Sequence, residues 1–339
     1  MNLPRALLIA EIGINHNGDM ALAEKMVQAA AYAGADAVKF QNYRTEDFLS
    51  DHSLTYTYKS QGREITESQF QMFKRCELSR ADLAFLKKCC ASAGVEFFST
   101  PTSNEGIKDL EQVGAALLKN GSDYLGHLPL IREMARSGIP TILSTGMATE
   151  EEITEAVAAF REAGGRDLIL LACTSAYPAT PDNLHLRRIT TLAQKYACPA
   201  GFSDHSSGWE AAVAAVCVGA CMVEKHFTTD RHLPGPDQWF SSTPEEFAEL
   251  ARRVREAEVM LGCGDLQPTS AEAKARENFR LSCTAAYDLP EGTVLKVEDI
   301  SFRRPACGLP PKSMHLIVGR CLKKFTSKGS PLNFDHFSN

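Results

Sequence analysis

Two histidines and two lysines are the residues in this sequence best suited to chemistry. His205, His226, Lys39 and Lys119 each end or closely follow a short apolar run. Imidazoles bind Mn, Co, Fe or Zn, and a lysine in an apolar setting needs an anion or acts as a Schiff-base nucleophile. The pattern therefore predicts a metal-binding pair beside an anion site. The plainer alternatives are hydrogen-bonded histidines at a rim and lysines paired with acids.

Further polar side chains follow runs of the same kind. Glu11 ends the first run, where a carboxylate can act as a general base or pair with a lysine. Asp237 follows two prolines that fix the path of its loop, which would hold it rigidly or form a plain turn. Asp204, Glu224 and Asp237 could add metal ligands or orient the histidines. Hydroxyls suited to a phosphate and a carboxylate follow other runs: Ser99, Thr100, Ser122, Ser144, Thr145 and Ser203.

Eight short apolar runs separated by helical stretches would position these side chains. This layout predicts the α/β fold called a (β/α)8 TIM barrel, whose active site lies at the C-terminal ends of its strands. The helical stretch 21–33 is amphipathic and is followed by Gly34, a stop signal. Thr149 and Thr243 each begin a helix with acids in the first turn, where the helix dipole favours them.

The length of 339 residues exceeds the roughly 250 that such a barrel needs. We predict a barrel domain over 1–264, a linker over 265–278 and a small β-rich domain over 279–339. The segment 42–78 is rich in Tyr, Thr and Ser and is predicted as a long loop that serves as a substrate lid.

Composition excludes several classes of function. The formal net charge is −6, and no basic run suggests nucleic-acid binding. No apolar run reaches about 18 residues and the N-terminus has no signal-peptide pattern, so we expect no membrane segment and a cytoplasmic protein. The 11 cysteines include no CxxC pair and are predicted to be reduced and buried, among them Cys89, Cys90, Cys217 and Cys221.

Taken together, the motifs resemble the sialic acid synthase family, the phosphoenolpyruvate-condensing enzymes that make N-acetylneuraminate and related nonulosonic acids. The resemblance covers essentially the whole chain in order, and the tail, with Arg304-Pro305 and 308–310, resembles the family's antifreeze-like (SAF) domain. The segments that carry it in the barrel are AEIGINHNG (10–18), KFQ (39–41), STP (99–101), STGMA (144–148), CTSAYP (173–178), GFSDH (201–205), EKHFT (224–228) and PGPD (234–237).

The resemblance implies a role for each candidate residue. His205 and His226 match ligands of a divalent metal, with Mn²⁺ expected and Mg²⁺ or Co²⁺ as alternatives. Arg304 matches an arginine that reaches the sugar's N-acyl group from the partner subunit of a domain-swapped homodimer. The predicted catalytic residues are Glu11, Lys39, Lys119 and His226. The predicted residues that bind phosphoenolpyruvate or the amino sugar are Gln41, Thr100, Ser122, Ser144, Ser175, Tyr177, Ser203, Asp237 and Arg304.

Two departures from the family pattern leave the acceptor sugar open. Tyr124 stands where the family usually has an acidic residue near the sugar, and Ser175 stands where some members have Asn. N-acetylmannosamine is the default acceptor. The alternatives are a diacetamido trideoxyhexose leading to legionaminic or pseudaminic acid, a neutral sugar such as mannose, or a 6-phosphorylated sugar. Two other functions remain as rivals: a Schiff-base aldolase using Lys39 or Lys119, and a non-catalytic carbohydrate-binding or ice-binding protein.

Overall fold

The computed structural model describes residues 5–338 and divides the chain into two compact units after Gly262. The predicted domain ends at residues 1 and 339 lie outside the described residues. In the first unit, eight parallel strands close into a barrel in which β1 pairs with both β2 and β10, as the sequence predicts. The strands of this unit are β1 (Leu7–Gly13), β2 (Ala37–Asn42), β3 (Thr55–Ser60), β4 (Arg63–Ser68), β5 (Glu96–Pro101), β6 (Leu118–Asn120), β7 (Thr141–Ser144), β8 (Leu168–Cys173), β9 (Ala200–Asp204) and β10 (Met222–His226), of which β3 and β4 lie outside the barrel.

Helices surround the barrel and begin at capping residues. Asp19 accepts hydrogen bonds from two amides of the first helix turn, and Thr149 and Thr243 form capping boxes at the predicted starts. In the described part of the chain, no helix has the length and apolar character needed to cross a bilayer. The helices are α1 (Met20–Tyr32), α2 (Thr45–Phe48), α3 (Gln69–Lys74), α4 (Arg80–Ala93), α5 (Asn104–Val113), α6 (Leu128–Ser137), α7 (Glu150–Glu162), α8 (Arg187–Tyr196), α9 (Glu210–Cys217) and α10 (Pro244–Leu261).

The barrel interior has an apolar layer followed by a polar one. Side chains alternate along a strand, so residues two apart face the same side. The apolar layer includes Ile9, Ala37, Phe98, Ile142, Leu171 and Met222. Two positions further along the same strands, towards their C-terminal ends, stand Glu11, Lys39, Thr100, Ser144, Cys173 and Glu224.

The segment 42–78 is more ordered than the long loop predicted from the sequence. It contains α2, α3 and the hairpin of β3 and β4, whose turn residues Gln61 and Gly62 both have positive φ, as a tight hairpin turn requires. The Gln61 side chain donates a hydrogen bond to the backbone carbonyl of His232, and Lys59 lies over the ring of Trp239. The hairpin therefore packs against the loop that follows β10.

The second unit has its own apolar core, which includes Leu289, Ile317 and Phe337. Its strands β11 (Ser282–Ala285) and β12 (Ile300–Arg303) pair antiparallel. Helix α11 (Ala273–Phe279) lies mostly within the segment predicted as a linker. The cysteines of the described residues are free, as predicted. Of those expected to be buried, Cys90 is buried, Cys89 and Cys221 are only partly buried, and Cys217 is exposed on the outer face of α9.

Candidate active site

Two buried lysines share one buried carboxylate where the strands of the barrel end. Oε1 of Glu224 lies 3.3 Å from Nζ of Lys119 and 3.7 Å from Nζ of Lys39. Burial opposes ionisation of Glu224, but the charges of Lys119 and Lys39 outweigh it and lower its pKa to about 2. Two ammonium groups therefore face one ionised carboxylate, and this cluster favours an anionic ligand.

Glu11 flanks Lys39 on the neighbouring strand. Its Oε1 lies 3.0 Å from Nζ of Lys39 and accepts a 3.0 Å hydrogen bond from Nε2 of Gln41. Gly13 leaves the room for this pair, because a Cβ there would lie 2.9 Å from that oxygen. Burial raises the pKa of Glu11 to about 7; Lys39 opposes this rise and the charge of Glu224 adds to it. A carboxyl group that titrates near neutrality is suited to proton exchange with a bound molecule.

Hydroxyl groups on neighbouring strands complete the surroundings of the lysines. Oγ1 of Thr100 accepts a 3.1 Å hydrogen bond from Lys39. Oγ of Ser203 donates one of 3.2 Å to Glu224. Ser144 is buried at the end of β7. These hydroxyls can hydrogen-bond a ligand that the lysines hold by charge.

Gly146 brings two further hydroxyls together. Its N–H donates a 3.0 Å hydrogen bond to Oγ of Ser122. A Cβ at this position would lie 2.5 Å from Oγ of Ser175 and 2.7 Å from Oγ of Ser122, closer than real contacts allow. Glycine therefore leaves room for the two serine hydroxyls in these positions, where they can serve phosphate or carboxylate oxygens.

The two histidines predicted as metal ligands lie side by side, with ring centroids 5.6 Å apart. Nδ1 of His205 lies 2.8 Å from the carbonyl oxygen of Thr174, which can only accept, so Nδ1 carries a hydrogen and Nε2 is left for other partners. Burial lowers the pKa of His205, but its contact with Cys173 outweighs this and raises it. Burial and the charge of His205 hold the pKa of His226 well below its usual range, so the His226 ring is neutral.

A carboxylate and two aromatic rings border the histidine pair. Oδ2 of Asp237 lies 3.9 Å from Nδ1 of His226, beyond hydrogen-bond range. Burial raises the pKa of Asp237 to about 6, an effect that His205 opposes. The ring of Tyr177 packs 4.2 Å from that of His205, and the ring of Phe240 lies 5.0 Å from that of His226. Asp237 is thus placed to contact a molecule bound between the rings.

The donor set fits a divalent cation held by two protein ligands. Nδ1 of His226 is buried and has no hydrogen-bond partner in the described part of the chain. Among residues 5–338, no three His, Cys, Asp or Glu side chains form a complete metal cluster. Two imidazoles would therefore leave the other coordination positions to water or substrate oxygens. Asp204, considered above as a further ligand, instead faces Nζ of Lys225 at 2.8 Å.

Comparison with known proteins identifies the family of this chain. The NeuB family model matches residues 26–266 and the SAF domain model matches 282–338. The chain belongs to the NeuB family. It is 37% identical to the N,N'-diacetyllegionaminic acid synthase of Legionella pneumophila, over 97% of this chain and 94% of that protein. It is 33% identical to the synthase of the same name from Campylobacter jejuni, over 95% and 97%.

A solved structure of the family has the same fold. The crystal structure of N-acetylneuraminic acid synthetase from Leptospira borgpetersenii, in complex with citrate, matches with a TM-score of 0.72 and 34% identity, over 80% of this chain and 90% of that chain. The present chain is therefore an enzyme of the sialic acid synthase kind with a C-terminal SAF domain. The rival prediction of a non-catalytic binding protein is wrong.

Most predicted site residues of this NeuB-family enzyme lie together in the barrel unit. Arg304 lies in the SAF unit, where its guanidinium group packs over the ring of Phe279 at 5.2 Å. Its contact with the sugar of a partner subunit stays a prediction. The predicted residues at the C-terminal ends of the barrel strands and in the loops that follow are Glu11, Lys39, Gln41, Thr100, Lys119, Ser122, Ser144, Ser175, Tyr177, Ser203, His205, His226 and Asp237.

The central role of Glu224 and the contribution of Gln238 were not predicted from the sequence. Glu224 was considered as a metal ligand, although its spacing of two from His226 already indicated the same strand face. Gln238 is fully buried; its Nε2 donates to the backbone carbonyl of Asn15 at 2.8 Å, and its Oε1 accepts from Thr228 at 2.5 Å. These bonds anchor the loop that carries Asp237, and no local sequence signal indicates them.

Proposed function

We propose that this enzyme condenses phosphoenolpyruvate with the open-chain aldehyde of an N-acyl amino sugar, giving a nonulosonic acid and inorganic phosphate. The observation that carries this proposal is the buried pair Lys39 and Lys119 around Glu224. Two ammonium groups and nearby hydroxyls suit a small substrate that bears both a phosphate and a carboxylate. Phosphoenolpyruvate has both groups.

In the proposed reaction, C3 of phosphoenolpyruvate forms the new carbon–carbon bond to the aldehyde carbon, and the aldehyde oxygen takes up a proton. Water then adds to C2 and gives up a proton. The C2–O bond to phosphate breaks and the C2 hydroxyl proton passes to the departing phosphate, which leaves a keto group at C2. Lys39 and Lys119 hold the phosphate and carboxylate in place and balance their charge. Glu11, with its pKa near 7, passes the proton between water and the sugar oxygen.

His205 and His226 are the residues that would hold a divalent cation, with Mn²⁺ expected and Mg²⁺ or Co²⁺ as alternatives. Such an ion supplies Lewis-acid polarisation of the aldehyde when it is bound. The neutral ring of His226 and the hydrogen bond that orients His205 support this assignment. The rings of Tyr177 and Phe240 border the same place.

For the acceptor, we propose a diacetamido trideoxyhexose ahead of the default N-acetylmannosamine. Two relatives that match along nearly the whole chain are N,N'-diacetyllegionaminic acid synthases. Tyr124, which replaces an acidic residue of the family pattern, stacks on the ring of His127 at 5.9 Å and packs against the barrel core. It offers no carboxylate to bind a sugar hydroxyl, and this supports an acceptor with fewer hydroxyl groups.

Phosphate release from phosphoenolpyruvate tests this function directly. The purified enzyme with Mn²⁺ is given N-acetylmannosamine, N-acetylmannosamine 6-phosphate or a diacetamido trideoxyhexose in separate assays. We expect sugar-dependent phosphate release, fastest with the diacetamido sugar, and a product whose mass equals the sugar plus pyruvate. Faster turnover of N-acetylmannosamine would overturn the acceptor assignment. No sugar-dependent release with any of the three would overturn the condensation itself.

Borohydride trapping separates this reaction from a Schiff-base aldolase. Burial lowers the pKa of Lys39, but Glu11 and Glu224 outweigh this and raise it, so the amine stays protonated and is a poor nucleophile. We therefore expect no change in protein mass after incubation with pyruvate and borohydride. A pyruvate-derived adduct on Lys39 or Lys119 would contradict the condensation mechanism.

A further inference from the structure

A second buried ion pair joins the two strands that carry the histidines. Nζ of Lys225 lies 2.8 Å from Oδ2 of Asp204 and donates a 2.6 Å hydrogen bond to the backbone carbonyl of Ser206. Oδ1 of Asp204 accepts from the backbone N–H of Ser206 at 2.8 Å and from its hydroxyl at 2.6 Å. The side chains of Lys225 and Asp204 are 5% and 0% exposed. Both carboxylate oxygens therefore have partners.

This pair faces away from the lysine cluster described above. Asp204 and Lys225 are directly opposite each other in the register of β9 and β10. Side chains alternate along strands, so Ser203 and Glu224, which contact each other, face the barrel interior. Asp204 and Lys225 consequently face the other side, and they do not compete for the substrate.

The residues of the ion pair and its contacts are sequence neighbours of both histidines. Asp204 and Ser206 are the residues on either side of His205, and Lys225 directly precedes His226. One ammonium group thus ties the chain before and after His205 to the strand that ends in His226.

We propose that Asp204 and Lys225 are positioning residues that set the spacing of His205 and His226, and so the affinity of this site for a divalent cation. This inference rests on the metal site of the proposed function. A buried ion pair adds little net stability compared with apolar residues of similar size, so stability alone does not account for it. The need to hold β9 and β10 in one fixed geometry does account for the ion pair.

Mn²⁺ binding to the full-length protein, followed by electron paramagnetic resonance, tests the proposal. The main variant is the neutral double replacement Asp204→Asn with Lys225→Met, which leaves no unpaired buried charge. The matched control removes the pair of Arg255 and Asp36 (2.6 Å) by Arg255→Met with Asp36→Asn. Asp36 accepts from the backbone N–H of Leu8 near the start of β1, which places this control at the opposite end of the barrel.

We expect the main variant to bind Mn²⁺ at least tenfold more weakly than the wild type, while the control variant binds as the wild type does. His226→Ala should show no specific binding. If the wild type binds no Mn²⁺, or His226→Ala binds it equally well, both the metal-site assignment and this inference are overturned. If those two behave as expected and the main variant stays within twofold of the wild type, the inference alone is overturned.

Two milder variants cover the case in which the double variant does not fold. Ser206→Ala removes one hydrogen bond to Asp204, and Lys225→Arg keeps the charge but changes its reach. Both preserve the ion pair and should fold. A measurable loss of Mn²⁺ affinity in either, with an unchanged melting temperature, supports the positioning role. Wild-type affinity in both overturns it.

Discussion

Replacing His226 by alanine should reduce kcat/KM at least a thousandfold, which corresponds to about 4 kcal/mol of transition-state stabilisation. The ring is neutral, and its Nδ1 has no partner in the described part of the chain, so its one basic nitrogen is open to a cation. Alanine removes one of the two imidazoles that the site can offer. Phosphate release from phosphoenolpyruvate at saturating Mn²⁺ measures the effect.

His232→Ala is the matched control for this experiment. His232 lies in the loop that follows the same strand but is exposed, and its described hydrogen bonds involve only its backbone. We expect kcat/KM to stay within about twofold of the wild type in this variant. Full activity of His226→Ala would remove the basis for assigning a metal to this site.

Replacing Glu224 by glutamine should destabilise the barrel by about 3–5 kcal/mol, because Lys39 and Lys119 lose the carboxylate that they share. A barrel of this size should then melt roughly 10 °C lower. Inorganic phosphate should raise the melting temperature of the variant more than that of the wild type, because an anion bound to the native state replaces the missing charge. Thermal unfolding with and without phosphate measures both effects.

The contribution of Glu224 to stability should depend on pH. The folded pKa of Glu224 is lowered to about 2, below its unfolded value near 4.3. Its contribution to stability is therefore complete above about pH 5 and declines as the pH falls towards 2. The difference in melting temperature between the wild type and Glu224→Gln should shrink over that range.

Glu249→Gln is the control for the loss of one carboxylate. Glu249 pairs with Arg252 on the exposed face of α10, with a distance of 2.7 Å. Exposed pairs of this kind add little to stability, so we expect almost no change in melting temperature and no specific effect of phosphate. A Glu224→Gln variant that melts like Glu249→Gln would contradict the shared-charge arrangement.

The barrel could be predicted from the sequence because its signals are local. Each strand is a short apolar run, and helix starts such as Thr149 and Thr243 form caps with residues only three positions away. The structure of segment 42–78 was harder to predict, because the strands of its hairpin are exposed and have little apolar character. The alternation of Thr and Tyr in 55–58 and the Gln61-Gly62 turn were the available signals.

By itself, the sequence determined which residues reach the C-terminal ends of the strands, because strand direction and two-residue alternation are properties of each run alone. Only the tertiary structure decided which of these residues touch. Closure of the barrel brings Lys39, Lys119 and Glu224 together, although 185 positions separate the first and last of them in the chain. Their charges interact over a few ångströms in a buried setting, so pairing and pKa depend on distances that no local pattern encodes.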